Sequence, residues 1–430
     1  MPTKLDPTSS QREDTTRSWW TPVAGLLAAG LVTALVACGG GGGGSSAGVG
    51  TGGTGAFAVG TISGFGSIIV NGVRYDDSSA TVVDDDDSSS SSSLAIGQVV
   101  EIRGSVNSDG LTGTASSISY YSALKGPVTD FNSGAGTFKV FGQLVSTTAT
   151  TLVELGSSGS PLADGNVVEV YGLPDASGGI TATRIEREAI SISAFSGDFR
   201  IRGLVSGLVA TSPGQRFSVG TVTVQTDNAT QIEGTIADGV FVKVRLDKTV
   251  AGDGSYVAKR VKVKNRVYES GVSKAEVQGL ISEFTSPSAE FKVNGYRVKL
   301  YTSVTYEPQP GSSVNDLAND VRIEAKGVVT NGVLVISRIE FDDESNDGGA
   351  DGSEAPYEFH GVASCSATPC DSPVGSIVVR GVTVQYDATT RFEDGLTAAT
   401  LNGATVEVKA IAQTGSGGTT LLATRIEIDN

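Results

Sequence analysis

Histidine is almost missing: the 430 residues contain one, His360. Both tryptophans (Trp19 and Trp20) and the single methionine, Met1, fall within the first twenty residues, so the rest of the chain has neither type. One histidine leaves the commonest general base and the commonest metal ligand in short supply. No P-loop and no zinc-ligand spacing occurs. The chain is therefore not expected to be an enzyme, and no catalytic residue, metal or cofactor is expected. Charged residues are also few, at 18%, too few for a charge-rich disordered chain. Positive charge is scarcest: 31 Lys and Arg stand against 47 Asp and Glu, a net charge of −16. On that total nucleic acid is excluded as a partner, since little could displace counterions from a phosphate backbone.

The N-terminus is the first informative feature. A polar stretch carrying Lys4, Arg12 and Arg17 precedes an uncharged run, TPVAGLLAAGLVTALVA (21–37), and then Cys38. Such a run followed by small residues reads as a secretory signal, and it is short for a bilayer-spanning helix. Leu35-Val36-Ala37-Cys38 resembles the bacterial lipobox. That resemblance implies a diacylglyceryl group on the Cys38 thiol, cleavage before Cys38, and a membrane as partner through the lipid anchor. Two or more acyl chains anchor stably where one is marginal. GGGGGGSSAGVGTGGTG (39–55) has the composition of a flexible tether. Gly39 and Gly40 are not acidic, so by resemblance to sorted lipoproteins the expected location is the cell envelope, favouring the outer membrane. The envelope or extracellular partner stays unknown.

From residue 57 the chain repeats with a period of roughly 70 residues. Each copy opens on a Gly-hydrophobic strand: GTISGF (60–65), GPVTDF (126–131), GLVSGL (203–208), GLISEF (279–284) and GVASCS (361–366). A hairpin follows, as in SIIVNGVRY (67–75) and EFKVNGYRV (290–298), whose Asn-Gly pairs predict type I′ turns. A Thr then precedes an acidic residue: Thr81/Asp84, Thr151/Glu154, Thr230/Glu233, Thr305/Glu307, and Arg391/Glu393 after Thr390. A strand alternating Val with charge comes next, as in VVEVYG (167–172) or VFVKVR (240–245), and each copy closes on a strand such as TATRIE (181–186). The expected fold is all-β: a tandem array of about five small antiparallel β-barrel or sandwich units, with closed barrels preferred because they protect strand edges. The expected division is signal peptide 1–37, lipidated Cys and tether 38–56, units 57–122, 123–190, 199–269 and 275–341, an acidic linker 342–355, and a fifth unit 356–430.

The pattern G-x-I/V-x-x-F, I/F-x-V-N-G-V/Y, V-E-V-x-G and A-x-R-I-E resembles the DUF5666 family across about 57–430. The resemblance implies small tandem β domains in exported bacterial proteins, and no catalytic residue to carry over.

Cys365 and Cys370 are expected to form a disulfide, as export favours it and a redox pair expects C-x-x-C beside a helix. Closing so short a loop contributes about 2 kcal/mol. The acidic runs Asp84–Asp87 and Asp342, Asp343, Glu344, Asp347 and Asp351 lack the order of a calcium loop and are read as solvated. The recurrent carboxylates Asp84, Glu154, Glu233, Glu307 and Glu393 occur once per unit, and glycosidic chemistry needs two in one cleft, so a fold role is expected. Glycan binding stays open as the alternative, with Tyr75, Tyr171, Tyr296, Tyr301 and Tyr386 as stacking candidates in place of Trp. Calcium binding stays open beside it. The leading expectation is a lipid-anchored, non-enzymatic envelope binding or structural module.

Overall fold

The computed structural model describes residues 54–84, 94–156, 160–175, 177–307, 311–341, 356–365, 370, 373–415 and 417–429. Among them the chain is strand almost throughout, with three short 3-10 turns. No described helix is long and apolar enough to cross a membrane.

The strands close into five barrels of one topology. In barrel 1 the first strand (Thr54–Phe65) pairs antiparallel with the second (Ile68–Val70), and that with the third (Val73–Asp76, continued by Thr81–Val83). The third runs parallel to the fifth (Thr112–Tyr121), which pairs antiparallel with the fourth (Val99–Val106). The fourth returns to the first and closes the cylinder. The order 1-2-3-5-4-1 is that of the OB fold, a five-stranded Greek-key barrel. Barrels 2 to 5 repeat it; in barrel 3, for example, the first, fourth and fifth strands are Phe199–Ala210, Phe241–Val250 and Tyr256–Lys264. The expectation of closed barrels holds, and alternation is its cause: Ile201, Val242, Val244 and Val261 point inward and are buried, with charged residues between them facing out.

Spatial neighbours do not follow chain order. The first strand of barrel 1 pairs parallel with the first strand of barrel 4 from Ala56↔Lys274 to Val59↔Val277. Further along it pairs with the first strand of barrel 5 at Gly64↔Glu358 and Phe65↔Phe359. Both faces of that strand are buried, which its unbroken apolar run AFAV permits: Ala56 and Ala58 join the core shared with barrel 5, whereas Phe57 and Val59 join the core of barrel 4. Barrels 2 and 3 share a separate core and join antiparallel at Arg200↔Lys125 and Ile201↔Leu124. The segment between them is packed, not free. It forms a 3-10 turn (Ile192–Ala194), Phe195 stacks on Phe199 at 5.9 Å, and Lys248 donates to the Phe195 carbonyl at 2.6 Å.

Candidate functional site

The residues that recur between units are taken up by the barrels themselves. The Asn-Gly turns have the positive φ of a type I′ turn, 52° and 70° at Asn71 and Gly72, and 49° and 77° at Asn294 and Gly295. Each Asn amide folds back over the first strand: Asn71 Nδ2 donates to the Val59 carbonyl (3.1 Å), and Asn294 Nδ2 to that of Gln278 (3.0 Å). This is why the first and fourth units open on Gly. A Cβ on Gly60 or Gly279 would lie 1.8 Å from Asn71 Oδ1 or 2.6 Å from Asn294 Cβ.

The recurrent Thr ties the third strand to the fifth. Thr151, Thr230 and Thr390 donate to the carbonyls of Ala182, Ala258 and Ala423 at 2.6–2.7 Å. The recurrent carboxylate meets the arginine of the closing R-I-E strand: Glu154 with Arg184, Glu233 with Arg260, Glu307 with Arg338 (2.6 Å) and Glu393 with Arg425 (3.8 Å). Barrel 1 departs from this. Val83, not Asp84, occupies the register position of Glu154, and Ser117 that of Arg184.

Cys365 and Cys370 are disulfide-bonded, with Cα atoms 5.5 Å apart. Of the tyrosines read as stacking candidates, Tyr75, Tyr171, Tyr296 and Tyr386 are buried, so Tyr301 alone of the five is exposed. Cys38, Asp85–Asp87 and the acidic run 342–355 lie outside the described residues.

His360 is buried at the seam of barrels 1 and 5. Its Nε2 lies 2.6 Å from Glu358 Oε1 and its Nδ1 3.1 Å from Asp429 Oδ1. Arg74 of barrel 1 reaches Nδ1 at 3.3 Å and donates to the Gly66 carbonyl at 2.6 Å. Burial pulls the imidazole pKa down, and the hydrogen bonds to Glu358 and Asp429 more than offset it, so the pKa stands above its ordinary value. Glu358, His360 and Glu407 bring ligand atoms within 4.8 Å of one another, a set that could hold a metal. With a carboxylate on each ring nitrogen, the geometry suits an imidazolium better than a ligand, which needs a bare nitrogen.

Two concavities open where barrels meet. The larger, about 1190 Å³, lies between barrels 1, 2 and 5. Its wall carries the Glu154–Arg184 pair and the polar side chains of Ser67, Gln385, Thr419 and Thr420. The smaller, about 450 Å³, lies where barrels 1, 2 and 3 meet. There Lys125 Nζ sits 2.6 Å from Glu169 and 3.3 Å from Glu188, and Gln98 Nε2 donates to the Tyr171 hydroxyl at 3.4 Å. Burial holds the Glu188 carboxyl above the usual range, against the pull of Lys125. Neither cavity was visible in the sequence, because its walls come from repeats that chain order keeps apart.

Comparison with curated proteins finds no match. Among the solved structures that match is one from Streptococcus pneumoniae TIGR4, described as a multidomain protein with nucleic acid binding domains. It is 10% identical, covering 52% of this chain and 72% of its own, with a TM-score of 0.13, too low to carry an inference to this chain. The exclusion of nucleic acid must nevertheless be corrected. It rests on a chain-wide charge total. The total also hides a reversal of sign: residues 199–264 hold ten Lys and Arg against five Asp and Glu. Residues 58–119, 125–186, 202–262, 278–340 and 368–427 each match one family, described as a domain of unknown function. These segments make up most of the chain, which thus belongs to the DUF5666 family in five tandem copies.

Proposed function

We propose that this protein is a lipid-anchored, non-catalytic binding module of the bacterial cell envelope, held at the outer membrane through Cys38. Its ligand surface is the cleft between barrels 1, 2 and 5, and the ligand is an envelope or extracellular glycan. One observation carries the reading: the Gly, Thr, carboxylate and Arg that recur in the units serve barrel closure. What the repeats leave over is the space between them. The cleft suits a glycan, because hydroxyls, an amide and an ion pair stand in it among apolar side chains such as Phe65, Leu152 and Leu421. OB-type barrels are also known to hold oligosaccharides.

The test is a thermal-shift screen of the chain from residue 39 onward against envelope glycans, calcium and magnesium. A ligand at about 100 times its Kd adds about 2.7 kcal/mol to the folded state. A shift with a glycan that Arg184→Ala and Thr419→Val abolish supports the cleft. A shift with calcium alone moves the reading to a cation-binding protein, and hydrolysis of any glycan in the panel would defeat the non-catalytic one. Globomycin-sensitive processing and acyl labelling lost in Cys38→Ser test the anchor.

A further inference from the structure

The smaller cavity, where barrels 1, 2 and 3 meet, gathers buried polar side chains. Eleven polar or charged side chains are buried among the described residues, and four of them, Gln98, Ser122, Lys125 and Glu169, line this one space. Burying a polar group is unfavourable unless it finds a hydrogen bond. Gln98, Lys125 and Glu169 have found one. Ser122 has not: its side chain is 2% exposed, and its hydroxyl oxygen meets no hydrogen-bond partner among the described residues.

Two further donors line the same space. The Lys125 ammonium has three N–H groups for the two carboxylates it meets, Glu169 and Glu188. The Tyr171 hydroxyl accepts from Gln98 and keeps its own proton to give, and burial holds that proton far above the ordinary tyrosine range. The charges, by contrast, already hold one another. Lys125 lies 2.6 Å from Glu169 and 3.3 Å from Glu188, Arg184 pairs with Glu154 and Glu186, and Arg200 stands 3.9 Å from Glu169. A ligand with a charge of its own gains little here and must lose its water. A ring of hydroxyls can accept from the donors and give to the remaining lone pairs of the carboxylates. At about 450 Å³ the cavity has the size of a small-molecule site, and such sites favour junctions between domains.

Nor is the cavity isolated. Ala95, Glu154 and Arg184 line both it and the larger cleft of barrels 1, 2 and 5, so the Glu154–Arg184 pair stands where the two spaces meet. We infer that the smaller cavity is a sugar subsite, taking one uncharged sugar unit of a glycan whose remainder lies in the cleft. This subsite rests on the glycan reading of the cleft and narrows it to a glycan that carries a neutral sugar.

The full chain, purified in a polyoxyethylene detergent, is titrated by calorimetry with maltotetraose, chitotetraose, mannotetraose and tetragalacturonate. At least one of the neutral sugars should bind, and tetragalacturonate should bind more weakly by about tenfold or more. Ser122→Ala removes a hydroxyl that the unliganded chain leaves without a partner. Its melting temperature should therefore hold or rise, while its affinity for the sugar falls about fivefold. Tyr171→Phe should lower the affinity by a similar factor. Thr419→Val changes the cleft alone and separates the two claims. Affinity lowered by Thr419→Val but by neither Ser122→Ala nor Tyr171→Phe leaves the cleft its glycan and overturns the subsite. Tetragalacturonate bound as tightly as the neutral sugars, or a lower melting temperature in unliganded Ser122→Ala, overturns it too. No binding by any of the probes defeats the glycan reading itself, and the subsite with it.

Discussion

Barrels 3 and 5 share a topology, a repeat motif and an inward pattern, yet their outer sheets carry opposite electrostatics. Where barrel 5 sets His360 beside Glu407 and Glu427, barrel 3 sets Arg202 beside Lys243 and Lys262. Inside the two barrels the same register positions stay apolar, Phe359 against Val408 and Ile201 against Val244. The lesson is that the family pattern constrains the inner face of each strand and leaves the outer one open to divergence between copies.

The comparison is sharpened first by the largest effect. Phe359→Ala and Ile201→Ala both empty fully buried positions. Each should cost about 3–5 kcal/mol or slightly less in the isoleucine case, read by urea unfolding. Similar losses would place the difference between the barrels on their surfaces; a negligible loss at Ile201 would break the comparison, making barrel 3 the looser core. Next comes the exchange in the other direction. H360R/E407K/E427K imports the cation row into barrel 5 and should cost about 1–3 kcal/mol by thermal unfolding, from opposed like charges and the lost His360 contacts.

A smaller effect separates the two barrels by pH. The His360 pKa is raised in the folded state, so its contribution is fully present below the unfolded value near 6.5 and is lost as pH rises through the folded value. Unfolding midpoints measured from pH 6 upward should therefore fall across that window in the parent and be flatter in His360→Gln. The same register position in barrel 3 holds Arg202. Smallest are the recurrent ion pairs. Glu393→Gln and Glu233→Gln remove partners of half-exposed arginines, and each should cost less than about 1 kcal/mol. A larger loss at either would show that the pair does more than close its barrel.

Much of the fold was legible in the residues. The Asn-Gly turns, the alternating strands and the Cys365–Cys370 pair are local signals, and local signals survive into three dimensions. The VFVKVR and VAKRVKV strands even display their cations in plain order. Their alternation of apolar and charged residues reads as strand, whatever the sign of the charge. Only cross-strand register sets Arg200 beside Arg245 and Arg260, residues 45 and 15 positions apart in the chain. Register also corrects the repeat at its first copy, where Val83 rather than Asp84 takes the acidic position. The junction cavities were hidden for a different reason. They depend on which barrels dock, and Ala56 meets Lys274 through no pattern that a 70-residue period can show.

The parallel pairing of Ala56–Val59 with Lys274–Val277 has a consequence for biogenesis. Barrel 1 emerges first from the ribosome and, if exported, from the translocon. The outer edge of its first strand stays bare until some 220 further residues have followed. An uncovered apolar edge is an invitation to pair with another nascent chain. Molecules arrested before barrel 4 should consequently be the ones that clump, and the demand on chaperones should fall abruptly once residue 277 is out.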